Sequence, residues 1–354
     1  MNSNKKWISL LLTMILTVSL AACGTSLTNS AGLTNSAGSA SSTSSAESVD
    51  ASQYILKLGH CWAVEDNFHI AATKMADEVY EKTNGAVKID IYPASQLGST
   101  TEQIEAVVNG YQDIAGDAIN TLDSYEPLAD IESYPWLFES EEQALALLDS
   151  DLCDELLAEI GGDNFVILGA QYRGARMLQT TKPVYKLADL KGLKLRTASM
   201  PILNFPWEYL GCATTTMSFN EVYAGLQQGT VEGQENPLQT SYVSGLSEVE
   251  KYVMNTQHVY GIVGYFFSKK VFDSLPAEYQ TIIREAADAS AKWRNEVQIA
   301  NEAEYVQLFI DAGCTYIEVE DLDEWKTTLA PALEKEFPHL QPWVSRIKEF
   351  CASM

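Results

Sequence analysis

The chain has 354 residues, 46% of them apolar and 20% charged, and its 23 Lys and Arg against 48 Asp and Glu give a formal net charge of −25. That length accommodates two domains, or one domain with appendages. The acidity argues against nucleic acid, whose binding depends on Lys and Arg neutralising phosphates, and against docking on an anionic membrane surface. Four His and six Cys are too few for a large metal or haem system or for a disulfide-dense fold.

Lys5 and Lys6 precede an apolar stretch from Trp7 to Leu20. It is short for a membrane span and suited to the core of a signal peptide. It runs into Leu20-Ala21-Ala22-Cys23-Gly24. This resembles a bacterial lipobox, which implies a signal peptide over residues 1–22, cleavage before Cys23 and lipid on the Cys23 sulfur and amine. The other reading is a signal peptide cut at an A-x-A-like site, with Cys23 incidental. Both place the mature protein outside the cytoplasm, and removing Lys5 and Lys6 takes the charge from −25 to −27. Residues 23–50 are almost entirely small and polar, with Leu27–Gly32 repeated as Leu33–Gly38. Such a segment cannot bury a core and predicts a flexible tether, spanning on the order of 30 Å.

From Tyr54 onward strands and helices alternate. Tyr54–Gly59 and the alternating Val87–Tyr92 read as strands. The apolar stripe of Ile70, Met75 and Val79 predicts a helix over Asn67–Thr83, ended by Asn84-Gly85. Further helices are expected over Thr100–Asn109, Glu141–Ile160 and Asn220–Gln228. Further extended segments are expected from Asp113 and over Phe165–Ala170 and Leu193–Thr197. The alternation predicts an α/β architecture with mostly parallel sheets. From Pro276 to Gly313 no strong breaker interrupts an apolar pattern that includes Ile283, Ala286, Trp293, Val297 and Phe309. Unbroken, that helix would be about 57 Å long and would brace two domains. Two shorter helices with a kink are the alternative. Beyond Cys23, five Cys remain, at 61, 153, 212, 314 and 351; they are read as small apolar residues.

No nucleotide-binding loop, dinucleotide fingerprint, zinc-protease motif, nucleophile elbow or calcium loop occurs, and the four His lack metal spacing. No cofactor, metal or catalytic residue is expected. The informative residues lie mid-chain: Arg176, then Leu190-Lys-Gly-Leu-Lys-Leu-Arg196, then Met217-Ser-Phe219-Asn-Glu, then Val231-Glu-Gly-Gln-Glu-Asn236-Pro237. With Glu81-Lys-Thr-Asn-Gly85, Tyr92–Gly98 and Tyr134-Pro-Trp-Leu-Phe138, these make the chain resemble the TRAP-transporter solute-binding proteins of the DctP family. The likeness extends over about residues 54–350.

The resemblance implies a two-domain fold like that of the type II periplasmic binding proteins, with an interdomain ligand cleft and a long helix spanning both domains. One lobe would comprise residues 54–173 with about 262–301, the other 174–261 with about 302–354. It implies that Arg196 forms a bidentate salt bridge with a ligand carboxylate, that Arg176 and Asn236 assist, and that Phe219 lines the cavity. The chemistry agrees, since a planar guanidinium matches a carboxylate with two parallel charge-assisted hydrogen bonds. Read without the likeness, alternation puts Arg196 on a strand's solvated face, Arg176 in a surface ion pair, Asn236 in a turn and Phe219 in the core. Trp62, Tyr172, Trp207 and Tyr260 suit stacking on a sugar or simple core packing, and His258 reads as structural.

The implied function is an extracytoplasmic receptor, not an enzyme. It would capture a small organic acid, a C4-dicarboxylate or a sugar acid, and deliver it to a small and a large TRAP membrane subunit, touching the membrane itself only through the Cys23 anchor. The competing readings are a secreted enzyme acting on sugar acids, a receptor presenting ligand to a signalling partner, and a cleft for a cationic ligand with the Arg pair structural.

Overall fold

Nine strands and eleven α-helices make up residues 53–354, the part of the chain that the computed structural model describes. The signal peptide, Cys23 and the tether expected above lie outside the described residues. The strands are β1 (Tyr54–His60), β2 (Val87–Tyr92), β3 (Ile114–Ala118), β4 (Phe165–Thr180), β5 (Lys194–Thr197), β6 (Ala213–Thr216), β7 (Gly233–Pro237), β8 (Tyr252–Ser268) and β9 (Thr315–Ile317). The helices are α1 (Asn67–Lys82), α2 (Thr100–Val108), α3 (Glu141–Leu148), α4 (Asp151–Gly161), α5 (Pro201–Tyr209), α6 (Val222–Gln227), α7 (Leu238–Val243), α8 (Lys269–Ser274), α9 (Ala277–Asp311), α10 (Leu322–Glu336) and α11 (Gln341–Ala352).

The strands form one mixed sheet in the order β2-β1-β3-β8-β4-β7-β5-β6, with β9 added beside β8. Parallel pairs occupy the two ends, β1 with β2 and β3 at one and β5 with β6 and β7 at the other. The middle is antiparallel: β8 pairs with β3 and β4, and β4 pairs with β7. β9 adds a parallel partner to β8, so among the described residues five of the eight strand pairings are parallel, as expected by number, while the longest ladder, β4 with β8, is antiparallel. The 16-residue β4 and 17-residue β8 carry the chain from one end to the other.

One apolar core lies under the β1–β3 end, where Leu58, Phe68, Met75 and Ile283 are fully buried. A larger one surrounds the sheet's middle and gathers Phe266, Trp207, Trp325 and Leu333. The helix expected over Glu141–Ile160 is two helices, α3 and α4. Ser150 breaks it, because its side chain caps α4 by accepting from the Cys153 N–H. The segment expected as a helix from Asn220 opens with a 3-10 turn, Phe219–Glu221, before α6.

The long helix is continuous. α9 runs 35 residues, about 52 Å at 1.5 Å per residue. Its buried face is apolar at Ile283, Ala286 and Ala287, but polar through its middle, at Ser290, Arg294 and Gln298. Ser290 meets the Tyr265 hydroxyl and Gln298 accepts from Asn67 in α1, while Arg294 serves β4. The pairing of β4 with β8 slips between Leu168 and Gln171, between Tyr172 and Gly174, and between Arg176 and Leu178. Slipped residues lose ladder partners, and buried backbone groups must be satisfied another way. α9 supplies the replacements. Asn295 accepts from the Tyr172 N–H at 2.7 Å, Glu302 accepts from the Ala175 N–H at 3.0 Å, and Arg294 donates to the Tyr172 carbonyl. Gly174 sits at the bend with φ +103°, where a Cβ would come within 2.7 Å of the Gln298 amide. No helix among the described residues is long and apolar enough to cross a membrane.

Candidate ligand-binding site

A cavity of about 530 Å³ opens at the carboxyl ends of the parallel strands from both ends of the sheet. Cys61 and Trp62 follow β1, Asp117 and Ala118 close β3, Ala198 follows β5 and Met217 follows β6. Ligands of open α/β sheets bind in this crevice, because the loops leaving the strand ends converge there. Arg173 and Arg176 enter from β4, Arg196 from β5 and Asn236 from β7, so the cavity's floor is made by strands and its walls by loops.

The four expected residues meet here. Arg176, Arg196 and Asn236 are buried, and Phe219 is half-buried; all four line the cavity. Arg196 is 3% exposed. Its neighbour Lys194 is exposed, but Leu195, Arg196 and Thr197, which point to alternate faces, are all buried, so both faces of β5 are covered beyond Lys194. The solvated-face reading is thereby excluded. Arg176 lies within β4 and not after it, since the strand expected to end at Ala170 continues past its bulges to Thr180. Its pairing is buried, which excludes a surface ion pair.

The two guanidinium groups are held differently. Arg176 is bidentate to Glu235, with Nε 2.5 Å from Oε2 and Nη2 2.6 Å from Oε1, and Nη2 also donates to the Glu235 carbonyl at 2.7 Å. Its Nη1 is what remains to donate elsewhere. Arg196 turns the same edge to a single acceptor, the Met217 carbonyl, with Nε at 2.9 Å and Nη2 at 2.7 Å. The end of its fork, Nη1 with the second Nη2 proton, remains for an acid. Burial lowers the Arg196 pKa to about 10, so the group stays a cation at neutral pH.

Behind Arg176 a hydrogen-bonded chain crosses the sheet. Glu235 Oε2 lies 3.0 Å from His258 Nε2, and His258 Nδ1 lies 2.9 Å from Thr256 Oγ1. Burial lowers the His258 pKa, so a neutral ring donates from Nε2 to Glu235 and accepts from the Thr256 hydroxyl. Burial alone would raise the Glu235 carboxyl. The Arg176 charge and the hydrogen bonds from His258 and Arg176 outweigh it and hold Glu235 at about 2. His258 does not line the cavity.

Of the four aromatic candidates Trp62 lines the cavity, while Tyr172, Trp207 and Tyr260 do not. Sequence reasoning missed Glu235 as the Arg176 partner and missed Arg173 altogether. Arg173 is 6% exposed, packs over the Trp62 ring at 5.3 Å and donates from Nη2 to Asn236 Oδ1 at 3.0 Å. Asn236 in turn donates to Gln234 Oε1 at 2.6 Å. With its oxygen and one N–H engaged, the amide's second N–H is left for a ligand. No group of three His, Cys, Asp or Glu able to hold a metal occurs among the described residues, and all five described Cys are free thiols.

This fold, with a polar cavity at converging strand ends and buried arginines in its floor, is that of a solute-binding protein. The model of the DctP family, bacterial extracellular solute-binding protein family 7, matches residues 58–339, and the chain belongs to that family. Members are extracytoplasmic receptors of TRAP-type transporters, binding proteins and not enzymes. A solute-binding protein of Verminephrobacter eiseniae is 32% identical over 291 residues, covering 81% of this chain and 87% of its own. The 2,3-diketo-L-gulonate-binding periplasmic protein YiaO of Escherichia coli is 29% identical, covering 76% and 81%. The crystal structure of a TRAP periplasmic solute-binding protein from Xanthobacter autotrophicus with bound β-D-galacturonate superposes with a TM-score of 0.80 at 30% identity, covering 83% of this chain and 99% of that one.

Proposed function

We propose that the protein captures a small organic acid, a C4-dicarboxylate or a sugar acid such as a uronate or aldonate, and hands it to the small and large membrane subunits of a TRAP transporter. One observation carries this reading: Arg196 is buried in the cavity floor with its end-on fork uncommitted. The fork takes the carboxylate, Arg176 Nη1 and the spare Asn236 N–H assist, and Phe219 packs on the carbon skeleton. The names of YiaO and of the Xanthobacter structure, both with sugar acids, point the same way. Lobes of residues 54–173 with 262–301, and 174–261 with 302–354, close over the acid. Closing excludes water and strengthens the ion pairs, because the local dielectric falls. Cys23 carries lipid that keeps the receptor at the membrane; Cys23→Ser should release it into the medium and abolish labelling by palmitate.

The test is a thermal-shift screen of organic acids followed by calorimetry. A bound acid raises the melting temperature by mass action. Arg196→Ala should cost about 3 kcal/mol of affinity, roughly a hundredfold in Kd, since it removes one partner of a buried charge pair. Its melting temperature without ligand should change little. Unchanged affinity removes Arg196 from the site, and shifts with amines but not acids would reverse the assigned charge of the ligand.

A further inference from the structure

The cavity holds three buried guanidinium groups, and two of them have no carboxylate in direct contact, although the Asp117 charge acts on Arg173 from a distance. Arg176 is matched by Glu235. Among the described residues neither Arg173 nor Arg196 has a carboxylate within salt-bridge reach. Arg196 rests on a carbonyl. Arg173 has a neutral amide as its one acceptor, and its Nε is buried without any partner. Asp117, on the same wall, already accepts from Thr100 Oγ1 at 2.5 Å and from the Ala118 N–H at 2.8 Å. Arg294 is equally buried and unpaired, but it serves the Tyr172 carbonyl and does not line the cavity.

A buried cation without a counter-charge is costly, and the cost is relieved when a partner supplies the charge. Arg173 is also pre-oriented: the Trp62 ring covers its guanidinium and Asn236 fixes its Nη2. Such a donor meets a ligand without first losing rotamer freedom.

We infer that Arg173 is a specificity-determining residue and that the ligand carries two anionic groups, one taken by Arg196 and the other, a second carboxylate or a phosphate, by Arg173. This rests on the acid-receptor reading above and narrows it: a monoacid leaves one buried guanidinium unmatched, and a dianion leaves none. Arg173 also positions Asn236, so it acts on both ends of the ligand.

The experiment is calorimetry on the full receptor with matched pairs of acids: galactonate against galactarate, threonate against tartrate, and erythronate against erythronate 4-phosphate. The first two pairs test a carboxylate as the second anion and the third tests a phosphate. The expected result is a dianion binding about tenfold or more tighter than its matched monoanion in at least one pair. In Arg173→Gln that ratio should collapse towards one, while Arg173→Lys, which keeps the charge but loses the fork, should retain part of it. Monoanions binding as tightly as dianions in every pair overturns the inference while leaving the acid receptor standing. A dianion preference that survives Arg173→Gln overturns the assignment to Arg173. No binding of any acid, mono or di, overturns the acid-receptor reading as well. The wild-type ratios stand without any variant, so a misfolded Arg173→Gln, seen as a lost melting transition, does not remove the test.

Discussion

Arg176 and Glu235 form a bidentate pair inside the sheet, Nε to Oε2 at 2.5 Å and Nη2 to Oε1 at 2.6 Å, on neighbouring strands β4 and β7. Glu235 also receives His258. Glu235→Gln should therefore strand a buried guanidinium and unsettle the imidazole together. We expect a loss of about 3–5 kcal/mol in denaturant unfolding. A loss below about 1 kcal/mol, the range of exposed pairs, would mean that this pair is solvated.

The pH dependence of stability has a separable contribution from Glu250. This residue is fully buried, both carboxylate oxygens lack partners, and burial raises its pKa to about 8. The folded value lies above the unfolded one, so the folded state holds the proton longer. Its contribution to stability is then full below about pH 4.5 and is lost as pH rises towards 8. Glu250→Gln should match the wild type near pH 5 and exceed it near pH 8. Melting temperatures of the two proteins across that range give the difference directly, with the other titrating groups cancelling. A difference that does not vary with pH would show that Glu250 is ionised in the folded protein.

Gly174 has a positive φ and a side-chain amide where a Cβ would go. Gly174→Ala should cost about 1–3 kcal/mol through strain at φ +103° and displacement of Gln298. Gly110 has a positive φ as well, but no atom lies within 4 Å of its added Cβ, so Gly110→Ala should cost less. Equal losses would assign the whole effect to backbone conformation.

Cys61 provides an occupancy readout. It is half-buried on the cavity wall, while Cys153, Cys212, Cys314 and Cys351 are buried. Burial pushes its thiol pKa well up, so alkylation should be slow near neutral pH and faster in alkaline buffer. A saturating acid ligand should slow it further. Labelling of residue 61 that is indifferent to ligand would place the bound acid away from this wall.

Local pattern made much of the fold readable. α1, with its apolar stripe and its Asn84-Gly85 stop, and the alternating β2 appear where periodicity places them, because a helix face or strand face must be apolar wherever it meets the core. α9 was legible as a long unbroken helix, but its polar middle was not. Arg294, Asn295 and Glu302 satisfy backbone groups of a strand that lies more than a hundred residues away in sequence, and no local rule records that need. β8 and the second half of β4 were missed for a similar reason: their residues are buried on both faces, which erases the alternation that marks a half-exposed strand.

Arg196, Arg176, Asn236 and Phe219 were found through motif likeness, and the cavity gathers all four. What the motifs could not convey is how each charge is balanced. Arg176 and Glu235 are 59 residues apart, and Arg173 meets Asn236 across 63. Local order along the chain follows from short-range sterics and burial pattern, so the sequence alone sets the helices and most strands. Which buried cation keeps a partner, and which is left for a solute, depends on the β4–β7 and β5–β6 pairings, and long-range strand pairing is decided by the packed tertiary structure.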